Sequence, residues 1–338
     1  MTALPATRPA TMRAVVFRRY GSPDVLELAE LPVPAPAADQ ILVRVAASSV
    51  NPVDWHRLRG TPFLVRLTDG LTKPKNVGIG ADVSGVVEAV GSDVTNVRPG
   101  DEVFGMGIRT WAELVLIKAE GVVRKPAGVS FEQAGAVGVA AVTALQGLRD
   151  HGHVGAGQRV LVHGAGGGVG SFAVQIAKSL GAEVTAATSS ANLDLARALG
   201  ADTVVDYATF DRAADPASFD VIFNAGGYLP LGAQRHALKA GGIGVLAGAG
   251  RNVSVPGLVG NLAAAMVLTR FGSRRFVSYL AHRTPEDLET LRSMLEAGSI
   301  RAVIDRRYAL TEISDAVRYQ ETGHARGKVS VTVSDAAR

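Results

Sequence analysis

Glycines cluster between residues 160 and 170, where the chain reads VLVHGAGGGVG. The run of valine and leucine predicts a buried strand, and the residues after the turn carry apolar side chains at helical spacing. A glycine turn between a strand and a helix lets backbone N–H groups and the helix N-terminus bind a pyrophosphate. The usual G-x-G-x-x-G spacing occurs here as Ala165, Gly167 and Gly170, with alanine in the first position. Taken alone this is a weak signal, because glycine turns also arise for packing reasons.

Strand-like and helix-like segments alternate after this turn. The predicted strands are Glu183–Thr188, Thr203–Val205, Val221–Phe223 and Ile243–Leu246, with a helix at Asn192–Gly200. Alternation of this kind predicts a doubly wound parallel sheet of the Rossmann type, whose ligand crevice lies at the carboxyl ends of the strands.

The second predicted strand ends in the hydroxyl side chains of Thr188, Ser189 and Ser190 rather than in an acid. An acid at this place binds the ribose 2′-hydroxyl of NAD, whereas hydroxyls can donate hydrogen bonds to a 2′-phosphate. The sequence therefore favours NADP(H), with NAD(H) as the alternative. Two features weaken this preference: the next residue is Ala191 rather than a cation, and the serines could instead cap the following helix.

Composition narrows the class of protein further. The chain has 338 residues, which is enough for two domains, and no cysteine, which excludes disulfides and thiolate zinc sites. Its formal net charge of +4 comes from dispersed basic residues, so we expect no nucleic-acid partner. The longest apolar stretch, Leu258–Leu268, is shorter than the roughly 18 residues that a membrane span needs. We expect a cytoplasmic protein without a membrane span.

The first 130 residues have a different pattern, in which short strands are separated by proline and glycine turns. The predicted strands are Ala14–Arg18, Ile41–Ala47, Val83–Val90, Glu102–Phe104 and Ala112–Ile117. They predict an all-β module of barrel or Greek-key type, which a helix at Phe131–Arg149 joins to the glycine turn. Two late strands, Ala302–Tyr308 and Val329–Val333, are predicted to rejoin this module.

Five motifs accompany the glycine turn in a fixed order. They are NPVD at 51–54, GADVSG at 80–85, RPGDEV at 98–103, LGAD at 199–202 with Asp206-Tyr207, and GHARGK at 323–328. Together they resemble the zinc-free quinone-oxidoreductase branch of the medium-chain dehydrogenase/reductase superfamily, from about Arg13 to Val333. The resemblance implies a GroES-like β-barrel catalytic domain at 1–135 and 306–338, a Rossmann nucleotide-binding domain at 136–305, and a cleft between them.

The resemblance also implies a site without metal. The zinc-dependent alcohol dehydrogenases of the superfamily place a cysteine ligand where this chain has Asn51 and a histidine ligand where it has Ala81. Catalytic zinc needs three protein ligands, and we interpret the pair His151 and His153 as ordinary loop residues. An alcohol is hard to activate without a Lewis acid, whereas quinones and α,β-unsaturated carbonyls accept hydride readily.

Candidate site residues follow from the resemblance, position by position. At the reacting end, Asn51 would lie near the nicotinamide, where its amide could bind the ribose or the substrate oxygen, or it is simply a turn residue. His56 stands where quinone reductases commonly have tyrosine, and it could relay a proton or be an exposed loop residue. The candidate cofactor contacts are the backbone amides of Gly167, Gly168 and Val169 at the pyrophosphate, Tyr207 beside the adenosine, Asn224, Ala225, Gly226, Ala247, Gly248 and Ala249 along the dinucleotide, and Thr143 and Lys328 as lesser contacts.

The leading hypothesis is an oxidoreductase that uses NADPH to reduce a quinone or an activated enone by hydride transfer without zinc. One alternative is a zinc-independent alcohol or aldehyde dehydrogenase. Another is a nucleotide-binding regulatory protein with little catalysis, which the apolar stretch Leu258–Leu268 supports. We expect a small carbonyl or quinone substrate and a homo-oligomer, most simply a dimer.

Overall fold

The computed structural model describes residues 10–209, 216–225, 229–248 and 255–334. Its first part is rich in strands and holds only short helices. The strands are β1 (Thr11–Phe17), β2 (Leu26–Pro32), β3 (Gln40–Val50), β4 (Asp82–Val90), β5 (Glu102–Met106), β6 (Leu114–Lys118) and β7 (Val122–Arg124). The helices are α1 (Pro52–Arg59), α2 (Leu64–Asp69), α3 (Phe131–Ala134) and α4 (Gly138–Gln146).

The second part alternates strands and helices, as the sequence predicts. The strands are β8 (Arg159–His163), β9 (Glu183–Thr188), β10 (Thr203–Asp206), β11 (Phe219–Ala225), β12 (Leu238–Ala247) and β13 (Arg275–Ser278). The helices are α5 (Gly168–Ser179), α6 (Leu193–Ala198), α7 (Leu231–Ala237), α8 (Val255–Phe271) and α9 (Pro285–Glu296). The chain then continues through β14 (Ile304–Ala309), α10 (Ile313–Thr322) and β15 (Lys328–Thr332).

Strands β8 to β13 form a parallel sheet in the order β10-β9-β8-β11-β12-β13. The predicted doubly wound sheet is thereby confirmed. The chain moves outward from β8 in one direction and then from β11 in the other, so the strand order reverses between these two strands. Ligands of such sheets bind outside the carboxyl ends of the strands at this reversal, and the glycine turn directly follows β8.

The late strands return to the N-terminal β module, as predicted. β15 pairs antiparallel with β3, and β14 pairs parallel with β15, within a sheet ordered β14-β15-β3-β4-β5-β7. In this register Val329 lies opposite Val50. The residues just beyond that pair, Lys328 and Asn51, are therefore brought to the same place although 277 positions separate them in the chain.

The single helix predicted over Phe131–Arg149 is wrong. The chain instead forms α3, breaks, and resumes as α4, followed by a π-helical turn at Gly147–His151. Close approach to the β module explains the break, since a Cβ on Gly135 would lie 2.8 Å from the Ala47 carbonyl oxygen. A Cβ on Gly138 would lie 2.6 Å from a carboxylate oxygen of Asp82, so the start of α4 packs directly on β4.

Buried apolar clusters form the cores of the two modules. Phe172, Leu145 and Phe223 are fully buried between α4, α5 and the parallel sheet, and Trp111 and Phe17 are fully buried in the β module. Burial of each such side chain contributes about 1.5–3 kcal/mol relative to exposure. In the described part of the chain, no helix combines the length and the apolar character that a membrane crossing requires.

Candidate functional site

The glycine turn forms an open cradle at the start of α5. Gly167 is the N-cap residue, so the amides of Gly168, Val169 and Gly170 have no acceptor within the helix. A Cβ on Gly170 would lie 2.1 Å from the Gly164 carbonyl oxygen. Among the described residues, a Cβ on Gly167 would meet only that oxygen, at 3.5 Å. Gly170 thus permits close packing, while Gly167 keeps the outer face of the turn free. Amides at a helix N-terminus beside a glycine face fit the pyrophosphate of a dinucleotide.

The predicted adenosine-side residues follow the carboxyl end of β9. Thr188 is buried, Ser189 is half-buried and Ser190 is exposed. Ser189 makes no side-chain cap to the backbone, and its hydroxyl accepts a hydrogen bond from Asn192 Nδ2 at 3.2 Å. The capping alternative is therefore not observed for Ser189. The ring of Tyr207 is 41% exposed on the same side of the sheet.

The candidates after β11 and β12 also lie at strand ends. The side chain of Asn224 is used within the protein, because Nδ2 donates to the Leu229 carbonyl at 2.9 Å and Oδ1 accepts from the Leu229 amide at 3.3 Å. Ala225 and Ala247 are buried, and Gly248 has a φ of +89°. Gly226 and Ala249 lie outside the described residues.

Thr143 offers little to a ligand through its side chain. Its hydroxyl donates to the Val139 carbonyl at 2.7 Å, within α4. Its own carbonyl accepts a 2.5 Å hydrogen bond from the hydroxyl of Tyr279. Burial raises the pKa of Tyr279, so this phenol stays protonated and serves as a donor.

A buried polar cluster joins the end of β3 to the start of β15. Lys328 is only 3% exposed, and its Nζ donates to Asn51 Oδ1 at 2.5 Å and to Asp82 Oδ2 at 3.2 Å. Asn51 Nδ2 in turn donates to Asp82 Oδ2 at 2.8 Å. Both ends of the Asn51 amide are therefore oriented by charged partners, which supports a role beyond that of a turn residue.

Asp82 is the centre of this cluster, and sequence reasoning gave it no role. It is fully buried, and it also accepts hydrogen bonds from Ser49 Oγ at 2.5 Å and from the Val139 amide at 2.7 Å. Four donors from three separate parts of the chain thus converge on one carboxylate. The signal in the sequence was an acid directly before the predicted strand Val83–Val90, in the GADVSG motif.

The cluster contacts the glycine turn through the residues around Lys328. The Gly327 amide donates to the Gly166 carbonyl at 2.8 Å, and a Cβ on Gly168 would lie 3.1 Å from Lys328 Cδ. The lysine stem therefore lies along the start of α5, and its ammonium reaches the end of β3. The structure brings Asn51, Lys328 and the glycine turn together in one site.

Asp54 supports the cluster from α1. Its carboxylate accepts the backbone amide of Asn51 at 2.8 Å, which fixes the first turn of the helix. Burial, with a smaller contribution from the nearby charge of Asp82, raises the pKa of Asp54 to about 7, although the hydrogen bond from the Asn51 amide opposes the shift. Asp54 thus braces the loop that carries Asn51.

We expect Asp54→Asn to flatten the pH dependence of stability between about pH 4 and 7. An acid whose pKa is raised in the folded state stabilises it below the unfolded pKa, and this contribution is lost as pH rises through the folded pKa. Urea unfolding at intervals from pH 4 to 8 measures the difference between wild type and variant. The variant should gain stability relative to wild type as pH rises, and a constant difference would contradict the assignment.

The described contacts of His56 are with Thr61 and Trp55, and not with the polar cluster around Asp82. Its Nδ1 is 2.7 Å from the Thr61 carbonyl, which can only accept, so Nδ1 carries the hydrogen. The ring packs on Trp55 with centroids 3.7 Å apart, and burial lowers its pKa. The neutral ring therefore keeps Nε2 unprotonated at neutral pH. Among the residues that the structure describes, no group of three or more His, Cys, Asp or Glu side chains is arranged to hold a metal ion.

The fold and the site define a two-module α/β protein with a nucleotide-type crevice beside a β module. The model of the alcohol dehydrogenase GroES-like domain matches residues 37–127, and that of the zinc-binding dehydrogenases matches residues 199–331. The chain belongs to the medium-chain dehydrogenase/reductase superfamily. Its relatives are oxidoreductases.

Three relatives illustrate the similarity. A 2-methylene-furan-3-one reductase of Solanum lycopersicum is 35% identical, covering 96% of this chain and 79% of the relative. An NADPH-dependent alkenal/one oxidoreductase of Arabidopsis thaliana, from the chloroplast, is 33% identical, covering 96% and 81%. The solved quinone oxidoreductase of Coxiella burnetii is 30% identical with a TM-score of 0.82, covering 96% of this chain and all of that one.

Proposed function

We propose that this protein uses NADPH to reduce a quinone or an activated enone by hydride transfer, without a metal ion. The observation that carries the proposal is the placement of the Lys328 ammonium and the Asn51 amide beside the open glycine turn. Relatives named as furanone, alkenal/one and quinone reductases support the class of acceptor. The relative named as NADPH-dependent supports the cofactor.

A bound reduced nicotinamide supplies the hydride in such reactions. In our proposal the amides of Gly168 and Val169 bind the pyrophosphate, and the Asn51–Lys328 pair orients the reacting end. The fixed ammonium of Lys328 also favours negative charge that develops on a reduced acceptor. Because the pKa of His56 is lowered, we favour water over His56 as the source of the proton.

The donor set supports the metal-free proposal. Asn51 and Ala81 occupy the two positions where the zinc enzymes of the superfamily have ligands, and neither can replace a thiolate or an imidazole. Asp82, the acid next to Ala81, already accepts a hydrogen bond from the Lys328 ammonium. A metal ion at Asp82 would have to displace a cation that is part of the chain.

The decisive experiment follows oxidation of NADPH and NADH with quinones, enones and aldehydes, before and after treatment with a chelator. We expect turnover with quinones or enones, preference for NADPH, and no effect of the chelator. Loss of activity on chelation would overturn the metal-free proposal. Dinucleotide binding without turnover on any acceptor would instead favour a regulatory protein, and turnover confined to alcohols and aldehydes would favour a dehydrogenase.

We expect Ala191→Arg to tighten NADPH binding about tenfold, since a cation beside the serines would pair with the 2′-phosphate. Ala191 is exposed after Ser190, so a long side chain can be added without displacing core residues. Titration of intrinsic fluorescence measures the dissociation constants for NADPH and NADH. Ala191→Gln is the matched control of similar length without charge. A gain for NADH as large as that for NADPH would contradict binding of the phosphate here.

A further inference from the structure

Asp82 is a buried charge that the proposed chemistry does not use directly. Its carboxylate accepts from Asn51 Nδ2 and from Lys328 Nζ, so it fixes the amide and the ammonium relative to each other. Ser49 and the Val139 amide hold the carboxylate itself from two further directions. The stem of Lys328 is buried against Gly168, and these contacts fix the ammonium group at its end. Asp82 therefore helps to determine where the ammonium lies, together with Asn51.

The ammonium of Lys328 lies near the glycine turn that fits a pyrophosphate, at a distance that the lysine side chain itself spans. The lysine stem packs on Gly168 at the start of α5, and Nζ reaches Asn51 beyond it. In a dinucleotide, the group joined directly to the pyrophosphate is a ribose, and the nicotinamide and the acceptor lie further on. An ammonium has three donors, and the contacts among the described residues use two of them, at Asn51 and Asp82, which leaves the third for a ligand.

We propose that Asp82 is a positioning residue, which holds Lys328 so that its ammonium binds the nicotinamide-side ribose phosphate of the dinucleotide. This inference rests on the proposed function only through dinucleotide binding. It assigns Asp82 a role that acts through Lys328 and Asn51 and involves no contact with the acceptor. It also makes Lys328 a principal cofactor contact rather than a lesser one.

Binding of three probes to the full chain tests the proposal by calorimetry, with no acceptor present. NADPH and 2′-phospho-ADP-ribose both contain the ribose phosphate that lies on the nicotinamide side of the dinucleotide, whereas 2′,5′-ADP lacks it. Asp82→Asn and Lys328→Met should each weaken the first two probes at least tenfold and change 2′,5′-ADP less than twofold. Lys328→Arg should recover part of the loss because it retains the cation.

Two controls keep the outcome unambiguous. The double variant Asp82→Asn/Lys328→Met carries no unpaired buried charge, so it tests the same discrimination if a single variant does not fold. Lys239→Met removes the lysine of the Lys239–Asp220 pair, whose atoms are 2.8 Å apart, and should leave all three affinities unchanged. Equal losses for all three probes, or no loss for any of them, would overturn the inference. Wild-type protein that binds NADPH but reduces no acceptor would count against the proposed function alone.

Discussion

Gly167→Ala is expected to abolish tight NADPH binding while leaving the stability of the unliganded protein unchanged. The backbone at Gly167, with φ −86° and ψ 177°, is one that alanine adopts freely. The nearest atom of the described residues to an added Cβ is 3.5 Å away. The new methyl group would instead face the ligand, where the backbone must approach the pyrophosphate closely. A loss of at least about tenfold in affinity corresponds to about 1.4 kcal/mol or more.

Gly170→Ala is the matched control with the opposite outcome. Its added Cβ would lie 2.1 Å from the Gly164 carbonyl oxygen, which is backbone and cannot move aside cheaply. Such overpacking costs about 1–3 kcal/mol of folding free energy or more. Urea unfolding without ligand, and the rise in melting temperature on adding NADPH, separate the two effects. A stability loss in Gly167→Ala equal to that in Gly170→Ala would remove the assignment of the turn to a ligand.

Local patterns explain why much of the fold could be predicted. The glycine turn and the alternation after it depend on neighbours in sequence, and β8 to β12 lie where the valine-rich segments predict them. By contrast, the break between α3 and α4 depends on β3 and β4, and no local signal marks it.

The centre of the candidate site could not be predicted for the same reason. Asn51 and Lys328 were each named from a motif, but their contact depends on the antiparallel register of β15 and β3. Asp82 had no role in the sequence analysis, because its four donors come from β3, α4 and β15. Burial is what makes its charge important, and burial is a property of the assembled modules.

Lys328→Met is expected to destabilise the protein by about 3 kcal/mol at pH 8, because it leaves the carboxylate of Asp82 buried without a cation. Hydrogen bonds from Ser49, Asn51 and Val139 to the carboxylate remain. The loss of stability is therefore expected near the lower end of the roughly 3–5 kcal/mol that breaking a buried ion pair costs. Urea unfolding of the wild type and the variant at pH 8 measures the loss.

A double-mutant cycle separates the buried pair from ordinary packing losses. Asp82→Asn/Lys328→Met removes both charges, so its free energy of unfolding should exceed that of Lys328→Met alone, although it carries one more substitution. Lys239→Met breaks a partly exposed pair with Asp220 and should cost less than about 1 kcal/mol. If the two losses in the cycle simply add, Lys328 contributes through its aliphatic stem. The ammonium would then have no fixed partner in Asp82, and the cluster could not orient a ligand.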